Sequence, residues 1–104
     1  MNTKYIKDKI FEDSIVVASK EQISSDLGEE SVILNLKSSE YHGLNEVGAR
    51  VWNLIQQPKN VGDIKAILLE EYEVEPQRCL EDLKTLLHEL VKVGLVEIIN
   101  GKTA

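Results

Sequence analysis

The chain has 104 residues, which suits one domain, and its 12 Lys and Arg against 18 Asp and Glu leave a net charge of −6. This acidic balance argues against binding of nucleic acid through its phosphates, which requires clustered basic residues. The single cysteine, Cys79, has no partner for an internal disulfide, and no apolar run reaches the roughly 20 residues that cross a membrane. We therefore expect one cytoplasmic domain over residues 1–104, with flexible ends at 1–12 and 101–104.

The first half of the chain predicts β-strands. Residues 15–18 are apolar and β-branched, and residues 32–37 alternate apolar and polar side chains with the period of two that a half-buried strand shows. After a turn at Ser38 and Ser39, a short third strand is predicted over residues 40–43. The polar stretch at 19–30 predicts an irregular segment. These strands predict a three-stranded antiparallel sheet that is too small to fold alone.

Two helices are predicted next. Asn45 can cap a helix over residues 46–57, and Asn60 can cap a helix over residues 61–72. The first helix carries an apolar stripe at helical spacing, beside the only tryptophan of the chain. We assign this stripe and the tryptophan to the core: Val47, Val51, Ile55 and Trp52.

The third predicted helix begins at Pro76, because proline suits a first helical position, and runs to about residue 93, where Gly94 ends it. The short segment at residues 95–99 is rich in β-branched side chains and predicts a final strand. The order of elements predicts an α+β domain, in which a three-stranded antiparallel sheet is followed by a three-helix half resembling a winged helix-turn-helix.

No constellation of residues predicts catalysis. Cys79 and His88 lie nine positions apart on the third helix, about two and a half turns, so they point to opposite sides and cannot form a nucleophile–base pair. The two histidines, His42 and His88, lie far apart in the sequence, and no spacing typical of metal ligands is present. We expect no enzymatic activity, no metal and no cofactor.

A winged-helix DNA-binding regulator is the alternative that the shape of the helical half suggests. The third helix would then be the recognition helix. It carries three basic and three acidic residues, a net charge of zero, on a domain of net charge −6. Such a helix would approach phosphates without attraction, which favours a peptide or protein partner instead.

The third helix has more apolar surface than one packing seam needs. Its apolar arc spans about 140°. The part of this arc that does not pack on the first two helices is covered either by the sheet or by a binding partner. The predicted strand at residues 40–43 is short and suits a sheet edge, and a free edge beside an apolar helix is what strand addition by an extended peptide uses. The arc consists of Cys79, Leu80, Leu83, Leu86, Leu87, Leu90 and Val91.

The run Tyr-His-Gly-Leu-Asn-Glu-Val-Gly-Ala-Arg-Val-Trp at residues 41–52 resembles the strand-to-helix junction of the PqqD family. Residues 60–64, and residues 83–90 followed by Val-Gly-Leu-Val at 93–96, resemble that family too, and the likeness covers residues 14–99. Members, also called precursor-peptide recognition elements, bind the leader segment of a ribosomally made peptide and present it to a modifying enzyme. The pattern is similar to that of stand-alone recognition proteins of lasso-peptide pathways, whose partner is a leader peptidase. It differs from the pyrroloquinoline quinone form after Asn45 and in the insert at 19–30.

The resemblance implies a leader peptide that adds as a strand and leans on the third helix. On the strand it implies contacts at Glu40, Tyr41, His42 and Gly43. On the helix it implies the flank of Cys79, Asp82, Leu83 and Leu86. The sequence also leaves open the other flank, which consists of Leu80, Lys84 and Val91. We therefore expect a non-enzymatic peptide-binding protein whose partners are a precursor peptide and a leader peptidase or other modifying enzyme, with no nucleic acid and no membrane.

Overall fold

The computed structural model describes residues 10–20, 22–27 and 30–99 of the chain. In these ranges the strands are β1 (Ile15–Ala18), β2 (Gln22–Leu27), β3 (Glu30–Asn35), β4 (Glu40–Leu44), β5 (Lys59–Asn60) and β6 (Val96–Ile99). The helices are α1 (Glu46–Leu54), α2 (Val61–Glu71) and α3 (Pro76–Lys92). The predicted α+β class, with a three-stranded antiparallel sheet and a three-helix half, is confirmed.

The described strands form two sheets, with the orders β5–β1–β6 and β2–β3–β4. The prediction that β1 belongs to the same sheet as β3 and β4 is wrong. β1 instead pairs antiparallel with β6, from Ile15 opposite Ile99 to Ala18 opposite Val96. This pairing joins the two ends of the described chain, so the local apolar pattern that revealed the strand carried no information about its partner.

β2 takes the place in this sheet that was predicted for β1, and it lies within the segment 19–30 that was predicted to be irregular. Its sequence, Gln-Ile-Ser-Ser-Asp-Leu, is largely polar and lacks the alternation that marks a half-buried strand. β2 pairs with β3 from Gln22 opposite Asn35 to Leu27 opposite Glu30. β4 pairs with the other side of β3 and is therefore one of the two edges of this sheet.

The predicted asparagine caps begin α1 and α2. The Asn45 amide oxygen accepts a hydrogen bond from the Gly48 N–H at 2.9 Å, and Asn60 caps α2 in the same way at 2.8 Å. α1 ends at Leu54, three residues earlier than predicted. The carbonyl of the next residue, Ile55, accepts a hydrogen bond from the N–H of Ala18 in β1 at 2.8 Å, so the chain turns there to meet the first sheet.

The third helix begins and ends close to its predicted limits. Pro76 occupies its first turn, and the carboxylate of Glu75 accepts a hydrogen bond from the Arg78 N–H at 2.9 Å. At the other end Gly94 has a φ of +83°, a left-handed conformation that glycine adopts without strain. The Leu95 N–H then donates to the carbonyl of Leu90 at 2.9 Å and closes the helix.

One buried cluster joins both sheets and the three helices. Its fully buried apolar members include Trp52, Ile33, Ile55, Ile64, Leu87, Leu95, Val16, Val51 and Val61. The prediction that Trp52, Val51 and Ile55 belong to the core is confirmed. The same prediction is wrong for Val47, whose side chain is 39% exposed. Val47 lies in the first turn of α1, where the helix borders open space instead of the core.

A buried asparagine ties the second sheet to the end of α3. Asn35 is only 4% exposed, and its side-chain amide donates a hydrogen bond to the Val93 carbonyl at 2.7 Å. Its side-chain oxygen accepts from the main-chain N–H of Lys37 at 2.9 Å. The turn between β3 and β4 is thereby held against the C-terminal end of α3.

Most of the chain predicted to be flexible, residues 1–9 and 101–104, lies outside the described residues. Of the remainder, Ile10 is buried, and the Glu12 carbonyl accepts a hydrogen bond from the Gly62 N–H at 2.8 Å. The Glu12 carboxylate also lies 3.0 Å from the Lys65 ammonium.

Candidate functional site

A groove runs along the seam between β4 and α3. It has two adjoining parts of about 500 and 610 Å³, which share Gly43, Leu44 and Leu86 in their linings. The first part continues between α1 and α2, and the second lies toward the C-terminal end of α3. Residues of β4 and α3 line both parts, so an extended segment that lies along β4 would contact both of these walls.

The structure brings most of the predicted site residues together. His42 and Gly43 line the groove from β4, whereas Glu40 and Tyr41 belong to the same strand, are exposed and lie outside the lining. All four residues of one predicted helix flank line its first part: Cys79, Asp82, Leu83 and Leu86. None of the alternative flank, Leu80, Lys84 and Val91, belongs to either lining, and Leu80 and Val91 pack against the core.

Helical spacing explains why this flank faces the groove. Positions 79, 83, 86 and 90 recur every three or four residues and so share one side of α3. Cys79, Leu83 and Leu90 are buried, whereas Leu86 is half-buried and contributes to both parts of the groove. The apolar arc of α3 is wider than packing against the core requires, and part of it lines the groove.

The wall opposite α3 was not predicted from the sequence. It is formed by apolar residues of α1, of α2 and of the turn that follows α2: Val47, Val51, Leu68, Tyr72 and Val74. Val74 lies between two glutamates in the turn after α2. An isolated apolar residue in such an acidic turn is the sequence feature that could have indicated its place in the groove. The apolar spacing of α1 predicts Val47 in the core, and only the packing of the helix shows that it lines the groove instead.

The second part of the groove also contains residues that the sequence did not indicate. Glu89, Lys92 and Val93 line it from the last turns of α3 and the residue that follows. His42 faces this part, and its Nε2 atom is buried without a hydrogen-bond partner among the described residues. The groove is therefore mostly apolar, with charged groups near its ends.

Among the described residues, no strand pairs with the outer side of β4, because β4 is an edge of the β2–β3–β4 sheet. The direction of its hydrogen-bonding groups follows from the turn before it. The Ser39 N–H donates to the Asn35 carbonyl at 2.8 Å, so Asn35 directs its carbonyl toward β4, where Glu40 is its register partner.

Alternate residues of a strand direct their main-chain groups to opposite neighbours. Continuing from Glu40, His42 and Leu44 face β3. Tyr41 and Gly43 therefore present their N–H and C=O groups at the open edge, next to the groove. This edge offers hydrogen bonds to any extended segment that enters.

Cys79, the cysteine of the groove, lies on a different side of α3 from His88. Cys79 is 6% exposed, and burial raises the pKa of its thiol. His88 lies on the exposed side of the same helix. Within residues 10–20, 22–27 and 30–99, no three His, Cys, Asp or Glu side chains come together as a metal site, and no helix there could cross a membrane.

An ion pair joins the two helices of the opposite wall. Arg50 of α1 donates two hydrogen bonds to the carboxylate of Glu71 of α2, from Nε to Oε1 at 2.8 Å and from Nη2 to Oε2 at 2.7 Å. This hydrogen bonding lowers the pKa of the Glu71 carboxyl and raises that of the Arg50 guanidinium. Arg50 and Glu71 precede Val51 and Tyr72 in the sequence, so the ion pair links α1 and α2 next to residues that line the groove.

Comparison with known proteins identifies relatives of this fold. The family model described as coenzyme PQQ synthesis protein D (PqqD) matches residues 30–96, which run from β3 to the start of β6 and include both long walls of the groove. A search of curated proteins finds no match.

Two solved structures are similar. TbiB1 in complex with the TbiA(beta) leader peptide is 31% identical, with a TM-score of 0.74, and the match covers 78% of this chain and 94% of that chain. A lasso peptide synthetase B1 complexed with the leader peptide is 24% identical, with a TM-score of 0.70, covers 79% of this chain and 96% of that chain, and supports the fold. With the family model matching well over half of its residues, the chain belongs to the PqqD family.

Proposed function

We propose that this protein captures the leader segment of a ribosomally made precursor peptide and delivers it to a modifying enzyme or leader peptidase, in a pathway of the lasso-peptide type. The observation that carries the proposal is the open edge of β4 lying beside an apolar groove on α3. The protein acts as a binding partner and performs no chemistry of its own.

The edge and the groove supply different parts of the recognition. Main-chain groups of Tyr41 and Gly43 bond to the backbone of the incoming segment, whatever its sequence. The groove then selects side chains, because alternate residues of the added strand project toward α3. The walls formed by Leu83, Leu86 and Val47 favour apolar side chains at those positions.

The relative that is 31% identical supports this assignment of the ligand. That protein is in complex with a leader peptide, and its likeness to this chain extends over 94% of its own length. In this proposal the β4 edge and the groove hold the leader segment, and a partner enzyme carries out the chemistry on the rest of the precursor.

A binding experiment tests the proposal. The probe is a fluorescein-labelled synthetic peptide covering the leader half of the short precursor encoded beside the gene for this protein. We expect saturable one-to-one binding, and the largest amide shifts in NMR spectra at residues 40–43 and along positions 79–93 of α3. Shifts concentrated on the exposed side of α2 or on β6 would contradict the groove, and absence of such a precursor or of binding would contradict the function.

Two variants, each with one aspartate introduced into α3, test whether the peptide binds in the groove. Leu86→Asp places a carboxylate in the apolar groove, where an unpaired charge is costly, and should abolish detectable binding. His88→Asp introduces a carboxylate on the exposed side of the same helix and should leave binding unchanged. Circular dichroism and the thermal midpoint of each variant report whether it is folded.

Duplex DNA at low salt provides the second arm of the experiment. The net charge of −6 predicts no binding to DNA. Salt-dependent DNA binding without peptide binding would establish the regulator as the function instead.

A further inference from the structure

We propose that the bound peptide contacts both faces of the β2–β3–β4 sheet, through a second subsite formed by Tyr41 and Leu34 on the face turned away from the groove, beside Gly43, whose main chain also lines the groove. The inference rests on the proposed function and adds which side chains the leader peptide carries. The leader carries adjacent bulky apolar residues, one directed into the groove and the next onto the Tyr41 face.

The observation behind the proposal is an apolar surface beside the open edge. Tyr41 is 71% exposed, the most exposed large apolar side chain of the described residues. In the register of β3 and β4, Tyr41 lies opposite Leu34, and Gly43 lies opposite Val32, so these four share one face of the sheet. Leu34 and Val32 are half-buried.

Gly43 leaves this surface open next to the ring of Tyr41. A Cβ atom built at Gly43 meets no atom within 4 Å. A side chain from a neighbouring strand could therefore lie over Gly43 and against the ring, which is how an aromatic residue covers a glycine across a strand pair. Tyr41 and Gly43 are also the residues that present main-chain groups at the open edge.

Strand addition forces the contact with this face. Successive side chains of a strand point to opposite sides, so a segment that sends one residue toward His42 in the groove must send the next toward Tyr41. Directly opposite residues of an antiparallel pair have Cβ atoms about 4.5–5.5 Å apart, within reach of an aromatic ring. This follows from the pleat and does not depend on the sequence of the peptide.

The experiment compares two exposed residues on edge strands of different sheets. Tyr41→Thr removes the ring and keeps the N–H and the β-propensity, and Ile99→Thr makes a comparable change on β6, where Ile99 is 44% exposed. With the labelled leader peptide, we expect Tyr41→Thr to weaken binding about two- to fivefold, the range of an aromatic cross-strand pair, and Ile99→Thr to have no effect. Tyr41→Phe keeps the ring and should bind more tightly than Tyr41→Thr.

A second measurement locates the contact directly. In the complex, nuclear Overhauser effects should connect the ring protons of Tyr41 to a peptide side chain adjacent to one that contacts Leu86. Unchanged affinity of Tyr41→Thr and no such signals, with binding still abolished by Leu86→Asp, would overturn the second subsite and leave the proposed function intact. If the natural protein self-associates and Tyr41→Thr abolishes this without loss of peptide affinity, the second subsite is also overturned, because the face would then serve a second copy of the chain.

Discussion

Trp52 shows how strongly one side chain of α1 can matter to a domain of this size. It is 2% exposed and is the largest of the fully buried side chains among the described residues. Trp52→Ala should lower the free energy of unfolding by about 3–5 kcal/mol, because the ring leaves a cavity that neighbours fill incompletely. Urea denaturation followed by circular dichroism measures this loss.

Val47→Ala, in the same helix, is the control for that measurement. Its side chain is 39% exposed and borders the groove, so the change should cost less than about 1 kcal/mol. Full stability of Trp52→Ala together with lost peptide binding would show that Trp52 serves the site and not the core.

Cys79 provides a chemical readout of the groove. Its thiol is buried and its pKa is raised by that burial, so at neutral pH less of it is thiolate than in an exposed cysteine. We expect slow modification by 5,5′-dithiobis(2-nitrobenzoate), faster modification as the pH rises, and further slowing when the leader peptide is bound. Protein unfolded in urea gives the reference rate, and a rate that peptide does not alter would place the ligand elsewhere.

At the scale of residues, helical periodicity predicts which side chains share one side of a helix. The spacing of Cys79, Leu83 and Leu86 indicated a shared side of α3, but both flanks of the apolar arc satisfied the same periodicity. Only the position of β4 relative to α3 selects the flank that contains Asp82 over the one that contains Lys84. That position is set by packing between distant segments, which local spacing does not encode.

Among the elements, β4 makes the sharpest test of the proposed strand addition. Tyr41→Pro removes an N–H at the open edge and should weaken peptide binding about three- to tenfold, the value of one hydrogen bond, with little effect on folding. His42→Pro removes an N–H directed at β3 and should instead lower the free energy of unfolding by about 1–3 kcal/mol. Fluorescence anisotropy and urea denaturation separate the two effects.

The controls for the proline variants keep the main-chain N–H. Tyr41→Thr and His42→Thr report the loss of each side chain alone, and their effects are subtracted from those of the proline variants. If Tyr41→Pro proves to unfold the protein and His42→Pro to impair only binding, the alternation along β4 is the reverse of the one inferred from the Ser39–Asn35 hydrogen bond.

Element prediction was accurate for helices and weaker for strands, for a physical reason. Asn45, Asn60 and Pro76 act on the residues beside them, so the helix starts could be predicted from the sequence. Strands obtain their hydrogen bonds from partners elsewhere in the chain. The polar strand β2 and the two-residue strand β5 are stabilised by such partners, and neither shows a pattern of its own.

Across the whole molecule, the ion pair between Arg50 and Glu71 gives stability a dependence on pH. Because the pKa of Glu71 is lowered in the folded state, its contribution is present above the pKa of the unfolded chain and is lost as the pH falls through the folded value. Arg50→Met should therefore be less stable than the natural protein at neutral pH, and the difference should vanish in strong acid. Thermal midpoints across this range test the sign.

Glu71→Gln is the matched background for that comparison. Without the carboxylate, Arg50→Met should produce no pH-dependent difference in thermal midpoint. A difference between the natural protein and the Arg50→Met variant that persists unchanged into strong acid would show that the ionised Glu71 carboxylate is not its cause.

The pairing of β1 with β6 has a consequence for how this fold can be combined with others. Ile15 lies opposite Ile99, so the first and last strands of the described residues are neighbours, in the sheet that does not contain β4. A domain whose first and last strands are neighbours can be inserted into a loop of a larger protein, or fused at either end, without obstructing the groove beside β4. Tethered in this way to a processing enzyme, the captured substrate would meet the catalytic centre at an effective concentration of about the millimolar range, and transfer would no longer depend on a diffusional encounter.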